Sequence, residues 1–307
     1  MSSYAITIIV NIEIFALLAL SLDLIIGRAG QSMLGMAAFF GIGAYSSAIL
    51  TNAGVNFWIS LFLALIITGL CGLLVGIISL RLRDDFLAIT TIGINFVIVA
   101  LFQNMEFFGG SLGMSSKPPT LFGTPMTAIH YAVLLFILVI LFVMMIWKME
   151  HSWFGLALAS IKDDEGAAAS FGIDVAKYKI LIFVIGTALA GFIGGIFAHR
   201  MVYIFSSDFA FTESITIISM VVVGGIGTIR GPIFGAILLG AAPELLRFAD
   251  DYRLLVYGLI IVLMMRFQPQ GLIGEDSFLV NSFQKYIAPK FKKNAPKASK
   301  EGGAQNE

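Results

Sequence analysis

Apolar residues fill this chain in long runs that polar residues interrupt only briefly. Nine runs approach the length a spanning helix needs, about 20 mostly apolar residues. They cover 5–26, 31–52, 57–80, 86–108, 129–147, 179–201, 214–229, 232–249 and 252–267. The seventh and eighth are short, rich in glycine and divided only by Arg230-Gly231. They read as two tilted helices, or as one helix with a re-entrant piece. The pattern predicts an all-α, polytopic membrane protein of about nine transmembrane segments, with eight and ten as the neighbouring counts.

Two polar intervals are long. Residues 109–128 carry Gly and Pro at a density that argues against a continuous helix. Residues 148–178 hold two helix-forming stretches, 153–160 and 163–171, with Gly172 as a stop signal. Two short helices along the membrane face are expected there. After Pro269 the character changes. Residues 278–287 place Leu279, Phe283 and Ile287 on one helical face with Lys285 off it, which predicts a short interfacial helix. From about Lys293 onward the polar, Ala/Gly/Lys-rich composition predicts disorder. The expected division is a transmembrane domain over 1–274, including the 148–178 loop, and a tail over 275–307.

Composition sharpens this. Hydrophobic residues make up 58% of the 307 and charged ones only 12%, with a mean hydropathy of +0.94. Soluble domains carry about 25% charged residues, so a soluble globular enzyme is excluded, and so is disorder outside the tail. Ten of the 38 charges fall in 269–307, nine in 148–179 and four in 81–85, which leaves fifteen for the rest. With the N-terminus outside, 15 Lys and Arg face the cytoplasm and 4 face out. The positive-inside rule then puts the C-terminus in the cytoplasm. Met1 to Tyr4 carry no basic residue, so the first apolar run is expected to be a retained helix rather than a signal peptide. Cys71 is the single cysteine, and His130, His151 and His199 stand far apart without an HExxH, so no metal site is expected. The histidines read as border residues. No GxxxxGK[ST] occurs, so the chain is not expected to bind ATP. The 27 phenylalanines are scattered through apolar runs and read as core and lipid-facing surface.

Some local patterns carry chemistry. Between Ser160 and Lys179, the acids Asp163, Asp164 and Glu165 fall in the expected first turn of a helix, where its dipole favours them. Small residues follow from Gly166 to Ser170, then Phe171-Gly172. Such a thin, acid-tipped helix suits a groove on a partner subunit, with Phe171 as an anchor; an ordinary solvated loop helix is the other reading. In the segment 27–43, Gly30 and Gly35 permit close helix packing, while Gln31 and Ser32 offer hydrogen bonds to a zwitterion beside a translocation path. Gly224, Gly225 and Gly227 open a second glycine segment that faintly echoes the first. Ionisable groups inside a membrane are costly and point to function or to buried pairing. Glu13 is expected either to bond a neighbouring helix or to face the path, and Asp23 to pair with Arg28 at the membrane border. Asn95, with Thr90 and Thr91, forms a polar patch that holds helices together or lines the path. Glu213, at the outer mouth of the seventh span, is expected either to meet an outside partner protein or to be solvated, and Arg81 to Asp85 read as an orientation signal, with docking to a cytoplasmic partner as the alternative.

Several of these stretches, with others, appear in a characteristic order: Gly27-Arg-Ala-Gly-Gln-Ser-Met-Leu-Gly35, Ala38-Phe-Phe-Gly-Ile-Gly-Ala-Tyr45, Arg81-Leu-Arg-Asp-Asp-Phe-Leu-Ala-Ile89, Asp163-Asp-Glu-Gly-Ala-Ala168 with Gly172, Gly224-Gly-Ile-Gly-Thr-Ile-Arg-Gly-Pro232 and Pro269-Gln-Gly-Leu272. In this the chain closely resembles the membrane permease subunits of branched-chain amino-acid ABC importers, the LivM type, from about residue 15 to 274. The resemblance implies a heteromeric importer in a bacterial or archaeal cytoplasmic membrane. Its expected partners are a second homologous permease, two ATP-binding subunits that hold ATP and Mg, an extracytoplasmic substrate-binding protein and membrane lipid, with no nucleic acid. It implies a cytoplasmic coupling helix, matched here by Glu165, Ala167, Ala168 and Gly172 and interrupted at Gly166. It implies no cofactor and no catalysis in this chain.

Related permeases handle urea and other small solutes, so the substrate is the less specific element of that expectation. Two competing mechanisms follow from the residues themselves. An ion-coupled carrier would use Glu13 and Asp23, and a passive channel would need no ATP.

Overall fold

The computed structural model describes residues 3–79, 84–121 and 124–245, together with Gly258, Leu259, Val262, Arg266, Gly271 and Leu272. Ten α-helices occur among them: α1 (Ser3–Asp23), α2 (Met36–Asn52), α3 (Phe57–Ser79), α4 (Asp84–Asn104), α5 (Ala128–Glu150), α6 (Trp153–Asp163), α7 (Glu165–Ser170), α8 (Val175–Met201), α9 (Phe211–Gly224) and α10 (Arg230–Leu245). Six helical stretches are long and apolar enough to cross a bilayer: Tyr4–Arg28, Phe57–Ser79, Phe86–Asn104, Ala128–Glu150, Val175–Met201 and Ser206–Gly224. The helices α2 and α10 are shorter, at 17 and 16 residues. Eight of the nine expected segments therefore have a helix. Of the ninth, 252–267, only Gly258, Leu259, Val262 and Arg266 are described, each in helical conformation; the tail beyond 275 lies outside the described residues, as do Arg81 and Arg83.

The helix α8 is the centre of the packing, and its small residues are the reason. A methyl group on Gly191 would collide with the Thr68 hydroxyl of α3. One on Gly43 of α2 would collide with the Gly191 carbonyl. Gly194 faces the backbone of Phe40 and Ala44 just as closely. With no side chain between them, the three backbones approach to within van der Waals reach, which is how helices gain contact where lipid supplies no hydrophobic drive. The other faces of α3, α4 and α5 carry Phe62, Leu74, Ile89, Phe96, Ile129 and Phe136, each more than half exposed. Such all-round apolarity suits a lipid-facing or subunit-facing surface.

Two helix boundaries differ from the expectation, for local reasons. The 31–52 run becomes helical only at Met36, because the chain leaves the first helix in an irregular stretch. That helix widens to a π-turn at Leu24–Arg28. It ends where Gly30 takes φ +67° and the Gln31 N–H reaches six residues back to the Ile25 carbonyl, across the widened turn. The 163–171 stretch is not one helix either. Asp163 closes α6 and Asp164 is the cap of α7, so Glu165 alone of the three acids lies in a first turn.

At the far end from these breaks, Met114–Ser115 pairs antiparallel with Tyr203–Ile204, and Thr120–Leu121 with Thr124–Pro125. His199 is buried there, with Ser47 at 2.9 Å, Ser116 at 2.6 Å and the Lys117 carbonyl at 2.9 Å from its ring nitrogens. His130 and His151 instead sit exposed at helix ends, as border residues do.

Candidate functional site

Motifs far apart in sequence meet at the end of the bundle where α1 widens. Asp23 is 2% exposed and accepts the Gly227 N–H through Oδ1 at 2.7 Å. Its other oxygen faces Arg28 Nε at 3.5 Å. Arg28 in turn pairs with Glu150, the last residue of α5. A charged acceptor on a backbone N–H is among the stronger protein hydrogen bonds. The bond requires the two backbones to be close: a methyl on Gly27 would sit 2.6 Å from the Gly227 nitrogen. Gly227 also takes φ +80°, a conformation that side chains disfavour.

The second glycine segment is built around this contact. Gly224 packs on the Gly231 carbonyl. Gly225 holds φ +127°, and the Thr228 hydroxyl accepts the Gly231 N–H at 3.0 Å at the start of α10. The Leu272 N–H donates to the Val223 carbonyl at 2.9 Å, which ties the Pro269–Leu272 motif to the end of α9. The two glycine segments thus do not merely echo each other. They touch at Gly27 and Gly227.

The α6–α7 segment lies against the same node. Lys162, near the end of α6, runs over Gly30 and Gly227: methyls on those glycines would lie 3.6 Å from its Cγ and 3.2 Å from its Nζ. A cavity of about 350 Å³ opens between Arg28, Glu150, Leu158, Lys162 and Gly227. From this anchor α7 projects outward. The Asp164 carboxylate accepts the Ala167 N–H at 2.9 Å, and Gly172 at φ +84° lets the Ile173 N–H bond the Ala168 carbonyl. Glu165 pairs with Lys179 of α8. Asp163, Glu165, Ala167 and Gly172 stay exposed while Ala168 is buried. The Phe171 ring is 88% exposed and Trp153 87%. Phe171 at the C-terminal cap of α7 and Trp153 at the start of α6 thus leave two large apolar rings exposed on a capped helix pair, the kind of surface that marks an interaction site.

Other expected path or packing residues sit deeper. The Thr91 hydroxyl accepts the Leu34 N–H at 3.0 Å, and Gly35 packs on the Thr91 carbonyl. Asn95 donates to the Phe209 carbonyl at 3.1 Å and accepts from Ser214, whose oxygen receives the Ala37 N–H at 2.9 Å. These groups give the irregular 30–35 stretch and the start of α2 their backbone partners. Gln31 is buried with its Oε1 unbonded among the described residues, and Ser32 is half-buried. Glu13 Oε2 is buried without a hydrogen-bond partner among them. Sequence reading singled out neither Glu150 nor Lys162. Their signal was only membership in a charged loop, and the partners that give them meaning (Arg28, Gly30 and Gly227) lie more than sixty residues away. No group of three or more metal-binding side chains occurs among the described residues.

Comparison with known proteins identifies the family of the chain. Residues 4–265 match the family described as the branched-chain amino acid transport system permease component. The chain is 34% identical over 287 residues to the high-affinity branched-chain amino acid transport system permease protein LivM of Salmonella typhimurium, covering 85% of this chain and 68% of that one. It is 24% identical over 288 residues to a probable LivM of Methanocaldococcus jannaschii, covering 87% and 82%. A shorter likeness, 27% over 127 residues, links it to the Salmonella typhimurium permease protein LivH, covering 41% of each. No solved structure matches. A multi-pass helical membrane protein with a family match over nearly its whole membrane region, this chain belongs to the branched-chain amino acid transport permeases and is LivM-like.

Proposed function

We propose that this chain is one of two permease subunits of an ABC importer for branched-chain amino acids, and that α7 is its docking helix for an ATPase. The observation that carries the docking role is the pinned, exposed α7, joined through Lys162 of α6 to the Asp23–Arg28–Glu150–Gly227 node. In this reading the α6–α7 end faces the cytoplasm and the 109–128 end faces out. The second permease is a LivH-like chain, an extracytoplasmic binding protein delivers the substrate, and ATP with Mg is bound by the partner subunits. Closure of the ATPases displaces α7. A rigid α6 passes the displacement to Arg28 and Gly227, and hence to the ends of α1 and α9 together. That motion rocks the permease pair between outward and inward access.

Purification of the chain from its native membrane in mild detergent, with mass spectrometry of the bound proteins, tests the assembly. A second permease and P-loop ATPases are expected. Phe171→Asp should release the ATPases while leaving the permease pair intact, because it puts a charge where a groove must close over an aromatic ring. Retention of ATPases and of leucine uptake in that variant would sink the docking role.

A further inference from the structure

At the opposite end from α7, a cavity of about 370 Å³ lies between α1, α2, α8 and the start of α9. Its size falls in the lower range of ligand pockets, which run from roughly 300 to 1,000 Å³. Its lining divides into two chemistries. One wall is aromatic and apolar: Phe40 and Phe197, with ring centroids 5.0 Å apart, and Met201. The lining also carries two carboxylates, Asp208 and Glu213, and no cation among the described residues. Asp208 uses Oδ2 to accept the Phe205 N–H at 2.9 Å, and its Oδ1 has no hydrogen-bond partner among the described residues. Glu213, in the first turn of α9, has no side-chain hydrogen bond or ion pair among the described residues and lines the same cavity as Asp208. Asn11 adds an amide to the lining.

Two like charges beside an apolar wall are an unfavourable arrangement that one ligand shape relieves: a cationic head with a compact apolar body. We propose that this cavity holds the transported amino acid on its way in. The ammonium group sits between Asp208 and Glu213, and the branched side chain lies on Phe40 and Phe197. The Asn11 amide donates to the carboxylate. A bare inorganic cation would leave the aromatic wall without a role, and a neutral solute such as urea would leave the carboxylates without one. The proposal rests on the importer reading above and adds to it a place and a set of residues.

The test uses the complete importer in proteoliposomes with loaded binding protein, following leucine entry and ATP hydrolysis together. Asp208→Asn keeps a carbonyl oxygen for the Phe205 N–H, and Glu213→Gln keeps the side-chain shape. Each should lower leucine moved per ATP about tenfold, the equivalent of one lost charged hydrogen bond, with ATP hydrolysis still stimulated. Met201→Trp, at a half-open cavity wall, should depress leucine entry more than valine entry, a selectivity shift that a folding defect would not produce. Wild-type leucine coupling in both carboxamide variants would overturn the site. So would an equal loss for every substrate with loss of stimulated hydrolysis, since that marks the carboxylates as a dock for the binding protein. If the unmodified complex moved no leucine at all, the importer reading itself would fall first.

Discussion

At the scale of single residues, Asp23 decides more than its place in an apolar run suggests. It was legible as a costly ionisable group near Arg28. Its main bond, to the Gly227 N–H, was not, because the partner stands 204 positions away. Removing one member of a buried charged cluster strands the others. Asp23→Ala is therefore expected to cost about 3 kcal/mol. Asp23→Asn keeps an acceptor for Gly227 and loses only the attraction to Arg28, so about 1 kcal/mol is expected. Thermal unfolding in mild detergent ranks the two, and an alanine variant no worse than the asparagine one would contradict the assigned bond. Glycines differ in the same way. A methyl on Gly43 would overlap the Gly191 backbone, whereas one on Gly93 of α4 meets nothing within 4 Å. Gly43→Ala must push α2 and α8 apart and should prevent stable folding. Gly93→Ala should be neutral or add a little under about 1 kcal/mol through helix propensity. Fluorescence-detected size-exclusion of the two variants separates these outcomes.

Among the elements, the apolar runs gave eight helices their positions because spanning length and hydropathy are properties of the run itself. Boundaries escaped where distant side chains intervene. Met36 starts α2 because Thr91 and Ser214 serve the backbone just before and after it, and neither is near in sequence. The break at Asp164 follows from a cap that competes with helix continuation, since its carboxylate bonds the Ala167 N–H. The six-residue α7 relies on that cap. Asp164→Ala is expected to cost about 1 kcal/mol, and Asp164→Ser, which can still accept the bond, to cost less. The readout is the fraction of importer that keeps its ATPases through a stringent wash. Equal retention in both variants would show that α7 does not need to be preformed.

For the whole molecule, the ordered motifs were readable one by one, while their convergence was not. Gly27, Gly227 and Gly271-Leu272 share one end of the bundle with α6 and α7, and the loop holding Leu112 lies at the other. Orientation follows from charge alone in the sequence, and it can be checked on the intact cell. In a Cys71→Ser background, Leu112→Cys should react with a membrane-impermeant thiol reagent from outside. Ser170→Cys should react only after permeabilisation. The reverse pattern would invert the topology and place the cavity at Asp208 and Glu213 on the cytoplasmic side.

The π-turn at Leu24–Arg28 has a consequence for chain register. Asp23 and Arg28 are five positions apart, a spacing that a regular α-turn would rotate out of alignment at about 100° per residue. The wider i→i+5 turn brings them onto one face. It amounts to a single surplus residue absorbed at the end of the first helix without disturbing the regular turns before it. Excising Ile26 would close the turn to an ordinary four-residue step and still leave aspartate facing arginine. The shortened chain would thus keep the ion pair while narrowing the turn, so comparing it with Asp23→Asn separates the contribution of the wide backbone from that of the charges it aligns.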